Sequence, residues 1–412
     1  MIWSQKTATR YNWCLEMGKI TTTLYGDVTF FPYEASAPAR EVLEWKTAVL
    51  DSYNGSEVRY QERTKPRQEF EFSFPLSIVQ KIDALNILYG GIRDLVAIPL
   101  WTEKQYIGSV TGGATSVSCD ITNYSLRSNS LAVLYASWDT YQLVEIESAG
   151  GGAVTFTESV DSMVGAYIIP VRVGYIDGDV NYITDGLKAP VRFKFLVSDC
   201  AAMSPSEPTQ YDSTDIYYDE TIASGGMLSK TISKRQMIDD FTLGSFSAYT
   251  PWTNTRIAFS YSGIIQGAEE VTAFKLFLNR RLGMYRQFYY PTWELDFDIE
   301  STGTITTTVD VVSNNLVDYA SLRDQVVFID YDGNQYPRRV DALAQVDANT
   351  ARLTISSALN IDASQIKLAC FLGYFRFDTD RIEMSWIGNS VMRFSIPIIE
   401  IKPNRALPVV IE

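Results

Sequence analysis

Histidine does not occur in this chain of 412 residues. Its absence excludes Ser-His-Asp and Cys-His nucleophile activation, His-ligated metal sites and imidazole acid–base chemistry, leaving only carboxylate, Lys, Tyr or cofactor chemistry. Cysteine is scarce. Cys14, Cys119, Cys200 and Cys370 show no CxxC spacing and read as free, mostly buried thiols, because a chain this long needs no disulfide framework. No run of about 18 apolar residues occurs, so no membrane-spanning helix is expected. The opening residues MIWSQKTATRYNW lack an apolar signal core, and synthesis in a reducing cytoplasm without export is the expectation. Cations are outnumbered: 35 Lys and Arg stand against 49 Asp and Glu, a formal net charge of −14. Interspersed cations do not grip phosphates, so nucleic-acid binding is not expected, although an acidic wall would let nucleic acid slide past by like-charge repulsion. Gly112-Gly113 and Gly150–Gly152 lack the GK[ST] and strand-to-helix context of a phosphate cradle and read as turns.

What is present describes a folded globular chain: 46% hydrophobic, 20% charged, and long enough for two or more domains. Its organising stretch is Glu57–Trp101, whose second half returns at Arg256–Trp293. Each copy has an Arg-led alternating strand (Phe70, Phe72, Phe74; Ile257, Phe259, Tyr261), then a helix, then glycine (Gly90, Gly283), then a strand closing on Pro-x-Trp (Pro99 and Trp101; Pro291 and Trp293). Downstream, Gly174-Tyr175 and Arg192-Phe193 align with Gly373-Tyr374 and Arg393-Phe394. The expected fold is mainly β (α+β): two tandemly duplicated β-rich modules, each a barrel or sandwich with one short helix. The boundaries read as an N-terminal arm over 1–45, module 1 over 46–199, a linker over 200–245, module 2 over 246–403 and a tail over 404–412. The linker's acidic, Ser- and Pro-containing composition predicts a crossing over an exposed surface.

Local signals sharpen this outline. Asn54-Gly55 between two strand-like runs predicts a type I′ hairpin. The first helix is expected to start near Pro75, to bury Ile78, Ile82, Leu85 and Tyr89, and to stop at Gly90-Gly91. The second has Glu269 and Glu270 in its first turn, the stripe Val271, Phe274, Phe277 and Leu278, and Arg280 and Arg281 in its last.

Candidate chemistry is sparse. Glu294, Asp296, Asp298 and Glu300 alternate with Trp293, Leu295, Phe297 and Ile299; the pattern suits a half-buried strand with a solvated acidic face better than a glycosidase acid pair. Asp330-Tyr331-Asp332-Gly333-Asn334 reads as a hairpin turn rather than a calcium loop, since it lacks the ligand spacing and distal Glu. No catalytic, cofactor or metal residue is expected. A β-rich carbohydrate-binding or glycan-hydrolysing module is the alternative, on the strength of the aromatic supply. Arg59, Arg63 and Arg67, close to Glu57, are either surface ion pairs or a subunit boundary where forked donors fix register.

The stretch WKTAVLDSYNGSEVRYQERTKPRQEFEF, with its Trp-x-Thr opening at Trp45, Gly-x-Glu-x-Arg box and aromatic strand, resembles distal tail and baseplate hub structural proteins of tailed bacteriophages. The Tyr89–Arg93 turn leading to Trp101 is similar to the same pattern, and Asn279–Gly283 leading to Trp293 repeats it without the box. The resemblance implies a non-enzymatic virion protein, assembled in the host cytoplasm, forming a homo-oligomeric ring of three or six chains at the tail's end. Its implied partners are the tail tube protein and other tail-tip or baseplate proteins. Phage DNA would pass the lumen without specific binding, and no membrane is involved. Trp45, Glu57, Arg59, Arg63 and Arg67 are the candidate subunit-interface residues.

Overall fold

The computed structural model describes residues 19–183, 188–200, 208, 210–220, 228–240, 242, 244–252, 255–313, 316–319 and 323–401. Cys14 and the tail expected over 404–412 lie outside them. The chain is mainly β, with ladders that are almost all antiparallel.

Period-two alternation in Arg67–Ser77 buries Phe70, Phe72 and Phe74 on one face and leaves Glu69, Glu71 and Ser73 on the other. This strand pairs with Lys188–Val197, which pairs with the long strand Met163–Tyr182. The long strand also pairs with Val96–Pro99 and Ser130–Ser137, and the ladder continues through Thr140–Gly150 and Ala153–Phe156 to Ser116–Ser118. The second half repeats the order. Arg256–Gln266 pairs with Val391–Glu400, which pairs with Ile366–Phe377 and Arg381–Gly388; these two take the place of the single long strand. Ile366–Phe377 then pairs with Phe288–Pro291 and Gln325–Asp330, and the ladder runs on through Gln335–Gln345 and Thr350–Ile355 to Thr308–Val312.

The halves are not separate bodies. Strand Ser36–Glu44 pairs with Arg67–Ser77 along one edge and with Arg381–Gly388 along the other, so the central sheet runs unbroken from one half into the other. One apolar core holds Phe70, Phe72 and Phe74 together with Phe259, Tyr261 and Trp386. Three satellite cores lie beyond it among the described residues, one around Leu134, Val144 and Ile146, one around Val326, Phe328 and Leu353, and a small one around Tyr289, Val327 and Cys370. Within the arm expected over 1–45, Gly26–Phe30 pairs with Val96–Pro99 in the first half, and Phe30, Phe31 and Tyr33 are buried.

Helix α1 spans Ile78–Gly91 and α2 spans Ala268–Arg281. Pro75 does not begin α1; it lies within the preceding strand, opposite Pro190, and the strand runs on to Ser77. Ser77 caps the helix instead, its backbone N–H donating to Gln80 Oε1 at 2.9 Å in a capping box. The stripe expected to face the core does not: Ile82 is 63% exposed and Tyr89 76%, while Ala84, Ile87, Leu88 and Gly91 are buried. Small residues explain the rotation. Gly91 sits so close to Thr29 that a Cβ would collide with it, so the Ala84–Gly91 face approaches the sheet where bulkier side chains could not. Gly90 and Gly91 therefore lie inside the helix rather than stopping it, and Ile92 caps it in a right-handed conformation. In α2 the stripe Val271, Phe274, Phe277 and Leu278 is buried as expected. That helix closes on Leu282 and Gly283, both at positive φ.

Three other expectations change. The first hairpin, Thr47–Asp51 with Glu57–Gln61, has a five-residue loop rather than a two-residue type I′ turn. Asn54 Oδ1 accepts from Ser56 N at 3.1 Å and only Gly55 needs positive φ. Residues 294–300 form no continuous ladder strand, only an isolated bridge from Ile299 to Val311 after Trp293 at φ 56°. Phe297 is buried and Glu294, Asp298 and Glu300 are exposed as the alternation predicts, but the pattern fails at positions 295 and 296. Leu295 is 67% exposed, whereas Asp296 is half-buried and accepts from Phe371 N at 2.8 Å. The linker is not simply an exposed crossing either: Asp215 is buried against Arg280 and Arg281 at 2.8 and 2.5 Å, and Tyr217 stacks on Phe277 with ring centroids 4.3 Å apart.

Candidate functional site

The most elaborate polar chemistry lies along the seam between the two halves. It begins with the first hairpin, which leaves its own half and reaches the other. Glu57 at the hairpin's closing pair is buried between two guanidinium groups, accepting from Arg256 Nη1 at 2.7 Å and from Arg376 Nε and Nη2 at 2.9 and 3.1 Å. Burial alone would push its carboxyl up; Arg376, then Arg256 and Arg59, hold it below the ordinary glutamate range instead. Arg256 also donates to Gly55 O and lies 4.4 Å from the ring of Trp252, so the loop is gripped by backbone and side chain together. Arg59 continues the grip, donating from Nη2 to Gln287 Oε1 at 2.7 Å and from Nη1 to Met284 O at 3.4 Å.

At the hairpin's base Asp380 does the joining. Its carboxylate accepts from Thr47 N at 2.6 Å, Thr47 Oγ1 at 3.0 Å and Met284 N at 2.9 Å, and its carbonyl accepts from Trp45 N at 2.9 Å. Trp45 is buried beside it. Gly283 is obligatory here, since φ is 66° and a Cβ would collide with the Asp380 carboxylate and press on Trp45.

Beneath the seam strand lies a second charged cluster. Lys275, on α2, reaches Glu41 at 3.1 Å and Glu103 at 3.5 Å, and its ammonium stands 4.9 Å from the Trp386 ring. Glu41 also accepts from Trp386 Nε1 at 2.9 Å and Gln68 Nε2 at 2.7 Å; Glu103 accepts from Ser125 N at 2.7 Å and Oγ at 3.0 Å. Burial works against the Lys275 charge, but Glu41 and Glu103 outweigh it and raise the pKa above the ordinary lysine value. Glu103 moves the other way: burial opposes its charge, and Lys275, Arg172 and the Ser125 donors more than offset this. Thr272 on the same helix face donates to Asn123 O at 3.1 Å.

Of the candidate interface residues, Trp45, Glu57 and Arg59 meet at this seam inside one chain. Arg63 lies beyond the strand end and bonds within its own half, to Glu44 O at 2.9 Å. Arg67 stands opposite Glu44 in the ladder and is exposed, its side chain without a hydrogen-bond or ion-pair partner among the described residues. Among the repeat landmarks, Pro99 stands opposite Val171 and Pro291 opposite Leu372. Trp101 is buried edge-on to Tyr135, and Trp293 is half-buried. Gly174 pairs opposite Val96, three residues from the Pro99 level, whereas Gly373 pairs opposite Tyr290, one residue from the Pro291 level. Tyr175 and Tyr374, the residues that follow them, are therefore not structural equivalents. Sequence reasoning missed Asp215, Arg256, Lys275, Arg376 and Asp380. The Arg256 strand-leading position was visible as a repeat of Arg67, but nothing in spacing pairs Glu57 with a residue about 200 positions away.

Cys119 and Cys370 are free thiols, Cys370 buried and Cys119 half-buried, and Cys200 is half-buried. Among the described residues no cluster of three or more Cys, Asp or Glu could hold a metal, and no helix is long and apolar enough to cross a membrane. No family model matches this sequence, and no curated protein is significantly similar to it.

Proposed function

We propose that this chain is a non-enzymatic structural protein of a phage virion, built into a ring at the distal end of the tail as a distal tail or baseplate hub component. The observation that carries this reading is the asymmetry of the seam. The first half offers an edge strand and a hairpin, the second half offers a different sheet edge, two arginines and a helix face. A contact between two unlike surfaces of similar units is heterologous, and repeated between chains such contacts build a ring where the rotation closes and an open filament where it does not. A ring of three or six chains provides that closure, and the tail tube protein and other tail-tip proteins would dock on its faces. The net charge of −14 suits a lumen through which DNA passes without adhering.

The glycan-directed alternative would need two acids converging across a cleft. Here the supposed acidic strand face fails at positions 295 and 296, and Asp296 is engaged by Phe371 N and the Thr292 hydroxyl. Native mass spectrometry and negative-stain images of the purified protein test the proposal. A closed ring of three or six copies, found by antibody labelling at the tail tip of virions, is the expected result. A monomer at tens of micromolar, or label absent from the tail, would defeat it.

A further inference from the structure

The seam strand, the hairpin and the helix of the seam each have a counterpart in the opposite half, and those counterparts are largely uncovered. Thr231–Ser233 pairs with Arg256–Gln266 just as Ser36–Glu44 pairs with Arg67–Ser77, yet among the described residues its outer edge has no partner. The outer edge of Tyr175–Tyr182, the counterpart of Arg381–Gly388, is also unpaired among the described residues. A second hairpin, Met237–Asp240 with Phe246–Tyr249, is placed like the first: both have five-residue loops with a positive-φ glycine fourth, Gly55 or Gly244, the second loop adding Thr242 at φ 57°. Among the described residues it touches the first hairpin only through Tyr53, whose hydroxyl meets the Tyr249 hydroxyl at 2.6 Å and Met237 Sδ at 3.4 Å. Phe246 occupies the position of Glu57, and it is 69% exposed. All eight strand residues of this hairpin are exposed.

The helices complete the correspondence. Both are 14 residues long and bury equivalent positions, Ala84, Ile87 and Leu88 in α1 and Phe274, Phe277 and Leu278 in α2. In that register Ile82 matches Thr272, Leu85 matches Lys275 and Tyr89 matches Asn279. Thr272 and Lys275 of α2 reach the first half; the matching α1 side chains are apolar, and Ile82 and Tyr89 are exposed. Glu103 lies two residues after Trp101, and Leu295 lies two residues after Trp293. The ion pair Lys275–Glu103 inside the chain thus corresponds to an apolar pair, the half-buried Leu85 and the exposed Leu295.

We infer that a second copy of this chain docks head to tail by repeating the internal seam. The Thr231–Ser233 edge, the second hairpin and Leu295 of one copy would cover the Tyr175–Tyr182 edge and the α1 stripe of the next. This rests on the ring reading and specifies its contact. Continuity with the internal seam commits the occupant to a second copy: the two open edges are complementary because their counterparts already pair within each chain. The substitution of an apolar pair for an ionic one also tells the seams apart. An assembly contact made late benefits from apolar area that is tolerated on a folded chain, and it does not require burial of a lone lysine during assembly.

The test exchanges the two chemistries. Leu85→Lys and Leu295→Glu each place one uncompensated charge in the contact and should weaken assembly about a hundredfold. The double variant recreates the Lys275–Glu103 pair between copies and should restore assembly. Circular dichroism should show each chain folded. Independently, Leu85→Cys with Leu295→Cys should give disulfide-linked closed multimers under oxidation, against a wild-type control for the native thiols. A ring that forms normally in both single variants and yields no cross-link overturns this contact while leaving the ring standing, and points to another occupant such as residues 1–18. Single variants that dissociate without rescue in the double variant also overturn it. A wild-type chain that never assembles defeats the ring itself.

Discussion

The two helices occupy the same place in their halves and live in opposite surroundings. α2 is packed on both sides, against its own core through Phe274 and Phe277 and against the other half through Thr272 and Lys275. α1 buries Ala84, Ile87 and Leu88 and leaves Ile82 and Tyr89 in solvent. The difference shows how a repeated unit divides its labour. The copy at the seam acquires charges that must be satisfied inside one chain, while the copy at the margin keeps an apolar face.

The largest effects should follow from breaking the covered side. Phe274→Ala removes a core ring and should cost about 3–5 kcal/mol in urea unfolding, and Glu57→Gln, which strands Arg256 and Arg376, should cost a similar amount, roughly 3–5 kcal/mol. A loss under 1 kcal/mol for Glu57→Gln would mean that the seam's charges do not hold the halves together. Next in size is Asp215→Asn, which weakens the buried clamp on Arg280 and Arg281; about 2–3 kcal/mol is expected from lost charge-assisted bonds. Melting temperature against wild type reads this directly.

Acid should act on the same seam. The carboxyls of Glu57 and Glu103 are depressed in the folded chain, so their contribution is complete above the unfolded glutamate value of 4.5 and is lost as pH falls through their lower folded values. Stability should therefore fall steeply below about pH 4.5, and the Glu57→Gln variant should show a shallower fall. Equal slopes in the two proteins would remove Glu57 from the account. The smallest effect is predicted on the open side: Ile82→Ser in the dissociated chain should stay within about 0.5 kcal/mol of wild type. A larger loss would show that α1 is already covered in the monomer.

Much of the scaffold was legible because it is local. Phe70, Phe72 and Phe74 announce a strand by alternation, Val271 to Leu278 announce a helix face by its period, and the Pro-x-Trp closures mark a repeat. The α1 stripe was legible as apolar, but periodicity does not say which of two apolar faces meets the core. That choice was made by Gly91 fitting against Thr29, a contact 62 residues apart in the chain (91 − 29). The seam was largely hidden for the same reason. Glu57, Arg256 and Arg376 each look like ordinary surface charge until the fold brings the three together, and Asp215 looks like linker until two arginines need it.

Strand Ser36–Glu44 has a consequence for synthesis. Its outer partner Arg381–Gly388 is made long after it; Glu41 and the Trp386 indole it accepts from are 345 residues apart. At ordinary elongation rates that interval is roughly 20–70 s. During it, a nascent first half carries an unpaired sheet edge beside Trp45 and the hairpin, a surface ready to capture the wrong strand. Growing chains on one message would meet while that edge is open. Productive folding thus depends on Arg381–Gly388 arriving before a neighbour's edge does, and a pulse-labelled, chaperone-limited translation reaction would expose the race as aggregation of chains stopped short of Arg381.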